Sequence, residues 1–288
     1  MIYDLQRFIL IFGGEDDMKR KLSLLIVLAM FTTMIAAGCA KKDDNTFKVG
    51  MEAAYAPFNW TQIDNSNGGV PIQGTKEYAG GYDVEIAKKI ADKLGKKLVI
   101  VKTQWDGLLP AVQSGKIDAI IAGMSPTAKR MKSIDFSDKY YTSNLVMVVQ
   151  KGGTYEKATS IQDFSGAKIT GQLGTFHYTV IDQINGVKKQ TAMKDFSAMR
   201  VSLEAGKIDG YVSEYPEGVS ASTANPKLAM VQFGDKGFKA SPGDVAIAVG
   251  LKKKSKLTAT INEVLAGVSE QERKEIMDTA IKNQPSGK

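Results

Sequence analysis

A short sequence that occurs twice in the same setting most constrains how this chain can fold. Residues 114–118 read Ser-Gly-Lys-Ile-Asp and residues 205–209 read Ala-Gly-Lys-Ile-Asp. Each copy follows a helix-like segment (Leu108 to Gln113; Met199 to Glu204) and precedes an apolar run (Ala119 to Ala122; Gly210 to Val212). Glycine just past a helix takes the left-handed conformation that closes the last turn, and the following residues launch a strand. A single short match arises readily by chance. It gains weight from the rhythm of the chain around it. Phe47 to Met51 and Leu98 to Lys102 read as strands, with Tyr82 to Leu94 between them as an amphipathic helix, Asp83 as its N-cap and Gly95 as its stop. Val84, Ile86, Ala87, Ile90, Ala91 and Leu94 fall at helical spacing, while Glu85, Lys88, Lys89 and Lys93 face water. Asp64 to Gly81, rich in Gly, Asn and polar residues, reads as a surface loop or small hairpin. Strand, helix and strand in repetition predict an α/β fold of mainly parallel sheets flanked by helices. The repeat predicts two similar lobes.

In open α/β sheets ligands bind outside the carboxyl ends of the strands. Position 123, just past the first repeated strand, and position 214, just past the second, are therefore expected to face each other across a cleft. On the first side Gly123-Met124-Ser125-Pro126-Thr127-Ala128-Lys129-Arg130 reads as a helix start, with Ser125 as N-cap and Pro126 at the first helical position. Free amides at a helix start plus a guanidinium fork suit a carboxylate. On the second side Ser213-Glu214 offers a carboxylate that can hold an ammonium group. An anion receptor facing a cation receptor is what a free α-amino acid requires.

The N-terminus reads as a targeting device. Lys19-Arg20-Lys21 precedes an apolar stretch from Leu22 to Ala37, which meets Ala36-Ala37-Gly38-Cys39. Small residues after a short apolar run mark a secretory signal peptide, and the run is short and interrupted for a membrane-spanning helix. Cys39 is the only cysteine, so a disulfide framework is excluded. Its setting resembles a bacterial lipobox, with Ala36 where leucine is commoner; a plain secretory signal with a chance cysteine is the alternative. Residues 1–17 are expected to come from a mis-assigned start, because a proper positive region begins at Met18 and Glu15-Asp16-Asp17 is wrongly placed for a signal peptide. The expected organisation is 1–38 as false start plus signal peptide, and 39–45 as lipidated cysteine and tether. The net charge is +7, and the first 38 residues carry equal numbers of basic and acidic groups, so the excess lies beyond them. The lysines are scattered without interleaved aromatics, which argues against nucleic-acid binding.

Several motifs, in order and spacing, resemble those of polar amino-acid-binding proteins of bacterial ABC importers, solute-binding family 3. They are Tyr55-Ala56-Pro57-Phe58, Gly81-Tyr82-Asp83, Trp105-Asp106-Gly107-Leu108, Ser114 to Ala119, Met124-Ser125-Pro126-Thr127 with Arg130, Ile134-Asp135-Phe136-Ser137, and Gly174-Thr175. The resemblance covers about residues 46 to 250. It implies a two-lobed, type II periplasmic-binding fold with two crossing hinge segments, lobe 1 being 46–142 and 236–288 and lobe 2 being 143–235. It also implies a monomer, without cofactor or metal, that hands a free amino acid to permease and ATPase subunits and is tied to the cell membrane by a lipid on Cys39. Carried over position by position, Arg130 clamps the α-carboxylate with Ser125, the backbone at Gly123 and Thr175. Glu214 holds the α-ammonium, Glu52 reads the far end of the side chain, and Tyr55 and Trp105 flank it. Tyr55 as a surface turn residue and Trp105 as a core residue are the plainer alternatives.

An acid with two aromatic faces suits a cationic side chain: arginine first, since a planar guanidinium stacks and takes paired hydrogen bonds, then lysine, ornithine or histidine. Glutamine binders of the same family also place an acid near this position. Two departures stand out. Ala128 replaces an acid common two places before the clamping arginine, and the helix Glu270 to Lys282 lacks the usual Lys-Trp-Phe ending, which leaves its packing on lobe 1 open. The rival class is an enzyme resembling cyclohexadienyl dehydratases. His177, the only histidine, lies among Phe176, Tyr178 and Val180 and reads as structural, and there is no cysteine nucleophile, metal cluster or phosphate loop.

Overall fold

The computed structural model describes residues 45–285. Cys39, the signal segment, the tether up to Asp44 and the start at Met18 lie outside the described residues.

The strands are β1 (Thr46–Met51), β2 (Ala54–Tyr55), β3 (Asn59–Gln62), β4 (Val70–Pro71), β5 (Tyr78–Gly80), β6 (Lys97–Lys102), β7 (Ala119–Ile120), β8 (Asp135–Thr142), β9 (Leu145–Gln150), β10 (Lys168–Thr170), β11 (Lys188–Lys189), β12 (Gly210–Glu214), β13 (Leu228–Val231) and β14 (Ala246–Leu251). The helices are α1 (Tyr82–Leu94), α2 (Trp105–Ser114), α3 (Ala128–Met131), α4 (Phe176–Thr179), α5 (Phe196–Glu204), α6 (Tyr215–Ala224), α7 (Pro242–Val245), α8 (Thr258–Gly267) and α9 (Glu270–Asn283). One five-stranded sheet has the order β6-β1-β7-β14-β8 and the other β11-β10-β12-β9-β13. In each, a central group of parallel strands (β6, β1, β7; β11, β10, β12) is extended by antiparallel partners. The chain passes from the first sheet to the second through Ser143 and Asn144, and returns between β13 and β14. A backbone bond ties the crossings together, Ser143 N–H donating to Val245 O at 3.0 Å, while Asn144 O accepts from Tyr215 N–H at 2.9 Å just past β12.

The repeated pentapeptide has a structural cause. Gly115 closes α2 at φ +78° and Gly206 follows α5 at φ +67°, a conformation open to glycine at no steric cost. The aspartates then perform the same task twice. Asp118 accepts from Lys48 N–H at 2.9 Å and Asp209 from Lys168 N–H at 2.7 Å, each fixing the start of the neighbouring parallel strand.

Helix α1 follows the expected face: Val84, Ile86, Ala87, Ile90 and Ala91 are buried, and Gly95 closes it at φ +62°. Its start differs from expectation. Asp83 is not the N-cap. Gly81 is, and the first helical amides are met by backbone, with Tyr82 N–H donating to Pro57 O at 3.0 Å and Asp83 N–H to Phe58 O at 2.8 Å. A side chain on Gly81 would place its Cβ 2.4 Å from Phe58 O, so the loop can approach only a glycine. That frees the Asp83 carboxylate to turn inward. The segment 64–81, expected as a surface loop or small hairpin, takes the second form: β4 and β5 pair antiparallel within a four-stranded sheet of order β2-β3-β5-β4. Helix α9 packs on α1 and also on α6, with Lys89 paired to Glu272 at 2.5 Å.

Candidate functional site

Strands β1, β7, β10 and β12 all end toward one cleft, and the residues just past them build it. Arg130 stands on α3, a single turn capped by Thr127, whose Oγ1 accepts from Arg130 N–H at 3.3 Å. The expected cap at Ser125, with Pro126 at the first helical position, is therefore corrected: the helix begins at Ala128. The reason is that the Ser125 carbonyl is used elsewhere, accepting from Arg130 Nη1 at 2.9 Å and from Thr127 N–H at 2.9 Å. A single turn sums few peptide dipoles, so the guanidinium carries the positive character of this wall. Arg130 is 8% exposed, donates through Nη2 to Gly174 O at 3.3 Å, and lies over the Trp105 ring at 4.9 Å. Burial pulls its pKa down to about 10, opposed by the charges of Asp244 and Glu214. It stays protonated at neutral pH, and among the described residues no carboxylate forms an ion pair with it.

Glu214 closes β12 and is 1% exposed. Its Oε2 accepts from the Tyr55 hydroxyl at 2.6 Å, while Oε1 has no hydrogen-bond partner among the described residues. His177 Nε2 lies 3.7 Å from that oxygen, and neither ring nitrogen of this buried histidine has a hydrogen-bond partner among the described residues. The Tyr55 ring is stacked between Phe58 at 5.0 Å and Phe196 at 4.4 Å. Gly123 makes this possible: at φ +62°, a Cβ there would lie 2.7 Å from Tyr55 Cε1. Its amide donates to Tyr140 Oη at 3.3 Å, and that hydroxyl donates to Asp83 at 2.7 Å. Asn59 donates to the other Asp83 oxygen at 2.8 Å. Burial nevertheless pushes the Asp83 carboxyl up to about 7, with the Glu214 charge adding to the rise. Thr175 Oγ1 donates to Gln172 O at 2.8 Å.

Tyr55, Trp105, Gly123, Ser125, Arg130 and Thr175 thus line one pocket, with Gln172, Phe176, His177 and Phe196 joining them. The free space is about 10 Å³, room for roughly one water. Trp105 separates this pocket from a second chamber of about 190 Å³ that holds Glu52, Gln104, Asp106, Leu173, Lys194 and Asp195. Glu52 accepts from Gln172 Nε2 at 2.9 and 3.2 Å. Burial raises its pKa to about 7, Gln172 opposes that, and the Asp195 and Asp106 charges add to it. Trp105 borders the Glu52 chamber; Tyr55 does not, because its faces are covered and its hydroxyl is bound to Glu214. Gln172 and Phe196 were not anticipated from the sequence, and His177 was expected only as a structural residue. His177 was legible only through its place two residues after Thr175, and Phe196 looked like any apolar residue opening a helix.

Two lobes with orphaned, oppositely charged groups at the carboxyl ends of their strands define a solute-binding protein of the two-lobed periplasmic type. The chain belongs to the bacterial extracellular solute-binding proteins of family 3, whose profile matches residues 47–282. It is 31% identical over 162 residues to the arginine-binding extracellular protein ArtP of Bacillus subtilis (strain 168), covering 55% of this chain and 57% of that protein. It is 33% identical over 168 residues to a probable histidine-binding protein of Campylobacter jejuni, covering 55% and 59%. These matches span somewhat over half the length of the curated relatives. Among solved structures, an amino acid ABC transporter substrate-binding protein from Streptococcus pneumoniae bound to L-arginine superposes with a TM-score of 0.74 at 29% identity, over 84% of this chain and 95% of that one. An ancestral arginine-binding protein bound to glutamine gives 0.67 at 29% identity, over 81% and 96%.

Proposed function

We propose that this protein captures a free cationic L-amino acid, arginine before lysine and histidine, by closure of its lobes, and delivers it to the permease and ATPase subunits of an ABC importer. One observation carries the reading: Arg130 and Glu214 are both nearly fully buried beside one pocket, and among the described residues neither is paired with a side chain of permanent opposite charge, the His177 imidazole lying 3.7 Å from Glu214. A buried charge without a partner costs several kcal/mol, and the two groups together match a zwitterion's carboxylate and ammonium. Ser125, the backbone at Gly123 and Thr175 complete the carboxylate wall, Tyr55 orients Glu214, and Trp105 and Glu52 meet the side chain. The acids of the second chamber favour a cation there, and relatives with arginine and histidine in their names accord with it. Lobe 1 is taken as 46–142 and 236–288, and lobe 2 as 143–235. The N-terminal segment serves as a lipoprotein signal that leaves Cys39 anchoring a monomer outside the cell membrane. Among the described residues no helix is long and apolar enough to cross a membrane.

A thermal-shift screen of residues 41–288, refolded to strip carried-over ligand, against the twenty amino acids plus ornithine and citrulline tests this. A ligand at 100 times its Kd adds about 2.7 kcal/mol, several degrees in Tm. A response to arginine, with or without lysine and histidine, supports the reading. A response confined to glutamine supports a neutral polar ligand instead, the second reading that the glutamine-bound ancestral structure favours. Silence across the panel refutes both and directs attention to dehydratase assays.

A further inference from the structure

We propose that Gln172 sets the selectivity of the second chamber by holding Glu52 from the opposite lobe with a neutral donor, which orders the carboxylate without cancelling its charge. The proposal rests on the amino-acid-binding reading above. Gln172 is 2% exposed, just past β10, and its neighbour Leu173 is fixed by a 2.7 Å backbone bond to Met193 O. Its Nε2 contacts both Glu52 oxygens and donates to Lys194 O at 3.1 Å, so both amide hydrogens are committed. A buried carboxylate needs either a cation or hydrogen-bond donors to remain charged. A lysine or arginine at position 172 would meet that need by neutralising Glu52, leaving a chamber suited to an uncharged side chain. An apolar residue would leave Glu52 more readily protonated. Glutamine does neither.

The other charged groups facing Glu52 are Asp106 from α2, and Asp195 with Lys194 from the segment before α5. Lys194 does not neutralise the chamber: its side chain is 74% exposed and its ammonium is paired with Asp195 at 3.5 Å. A cation carried in by the ligand then becomes the positive partner of a carboxylate already aimed by Gln172.

Calorimetric titration of arginine, lysine and glutamine into the wild type, Gln172→Met and Gln172→Lys from pH 5 to 8 tests the proposal, with melting curves reporting folding. Methionine keeps the volume and removes the donor. Arginine affinity is expected to fall about 10- to 100-fold, the loss typical of a hydrogen bond to a charged group, and its pH midpoint to move upward because Gln172 lowers the Glu52 pKa. Gln172→Lys is expected to lose arginine further and to turn the preference toward glutamine; because it keeps a donor, it carries the test if the methionine variant fails to fold. Folded variants with wild-type arginine affinity and an unmoved midpoint overturn the proposal. A wild type that binds neither arginine nor lysine overturns the underlying reading, and this proposal with it; a wild type that binds arginine with indifferent variants overturns the proposal alone.

Discussion

Glu52 makes ligand capture depend on pH in a direction fixed by its surroundings. Its carboxyl is pushed up to about 7, so at pH 5 it holds a proton that a cationic side chain must displace. Displacing it costs about 1.36 kcal/mol per unit between the pH and the pKa: about 2.7 kcal/mol at pH 5 and almost nothing at pH 8. Arginine affinity is therefore expected to rise about 100-fold from pH 5 to pH 8, with the bend near 7. Near pH 7 each binding event should release about half a proton, seen as a dependence of the calorimetric heat on the buffer's ionisation enthalpy. In Glu52→Gln the slope should vanish while the α-group contacts remain. A neutral side chain has no reason to displace the proton, so glutamine should bind with little pH dependence. An arginine affinity flat from pH 5 to 8, or a slope that survives in Glu52→Gln, would refute the assignment of Glu52 to the ligand's cation.

The buried charges make further predictions. Arg130→Met and Glu214→Gln should each cost at least 100-fold in affinity, yet leave the unliganded Tm unchanged or raised, because each removes an unpaired buried charge; a Tm drop of many degrees would show that the charge is paired within the protein. Asp83 and Glu52 both bind their proton more tightly in the folded chain than unfolded. Unliganded stability from these groups is fully present below about pH 4 and declines as the pH rises toward 7, by on the order of 3 kcal/mol apiece. Asp83→Asn, followed by denaturant titration across that range, should remove its share of the decline; an unchanged slope would count against it. Gly123→Ala should destabilise by about 1–3 kcal/mol and disturb the Tyr55–Glu214 bond, since the new methyl meets the Tyr55 ring; equal stability and affinity would contradict that packing.

Much of this architecture was legible because local chemistry and tertiary role coincide. The Gly-Lys-Ile-Asp repeat marks two helix ends whose aspartates cap two equivalent strands, so one pattern located both lobes. Arg130, Ser125 and Glu214 were expected beside one cleft because residues past the strands converge by topology, whereas Thr175 was expected only through the family resemblance; Arg130, Ser125 and Thr175 line one pocket, with Glu214 beside it. What was missed depends on contacts that periodicity does not encode. Asp83 looked like a cap because caps are normally side chains; here the backbone of Pro57 and Phe58 takes that task, and the carboxylate is buried instead. The segment 64–81 left loop and small hairpin open because its strands are only two or three residues long. Gln172 acts across the cleft on Glu52 and His177 lies beside Glu214 within its own lobe; both partners are more than thirty positions away in sequence, and nothing in the immediate neighbours announces them.

The central claim is that Arg130 holds a carboxylate and Glu214 an ammonium of the same small molecule. The most direct measurement is calorimetric titration of the wild type with arginine and with two analogues that each lack one group: agmatine, without the α-carboxylate, and 5-guanidinopentanoic acid, without the α-ammonium. The account predicts that both bind at least 100-fold more weakly than arginine. Agmatine binding as tightly as arginine would contradict the role of Arg130, and the guanidino acid binding as tightly would contradict that of Glu214.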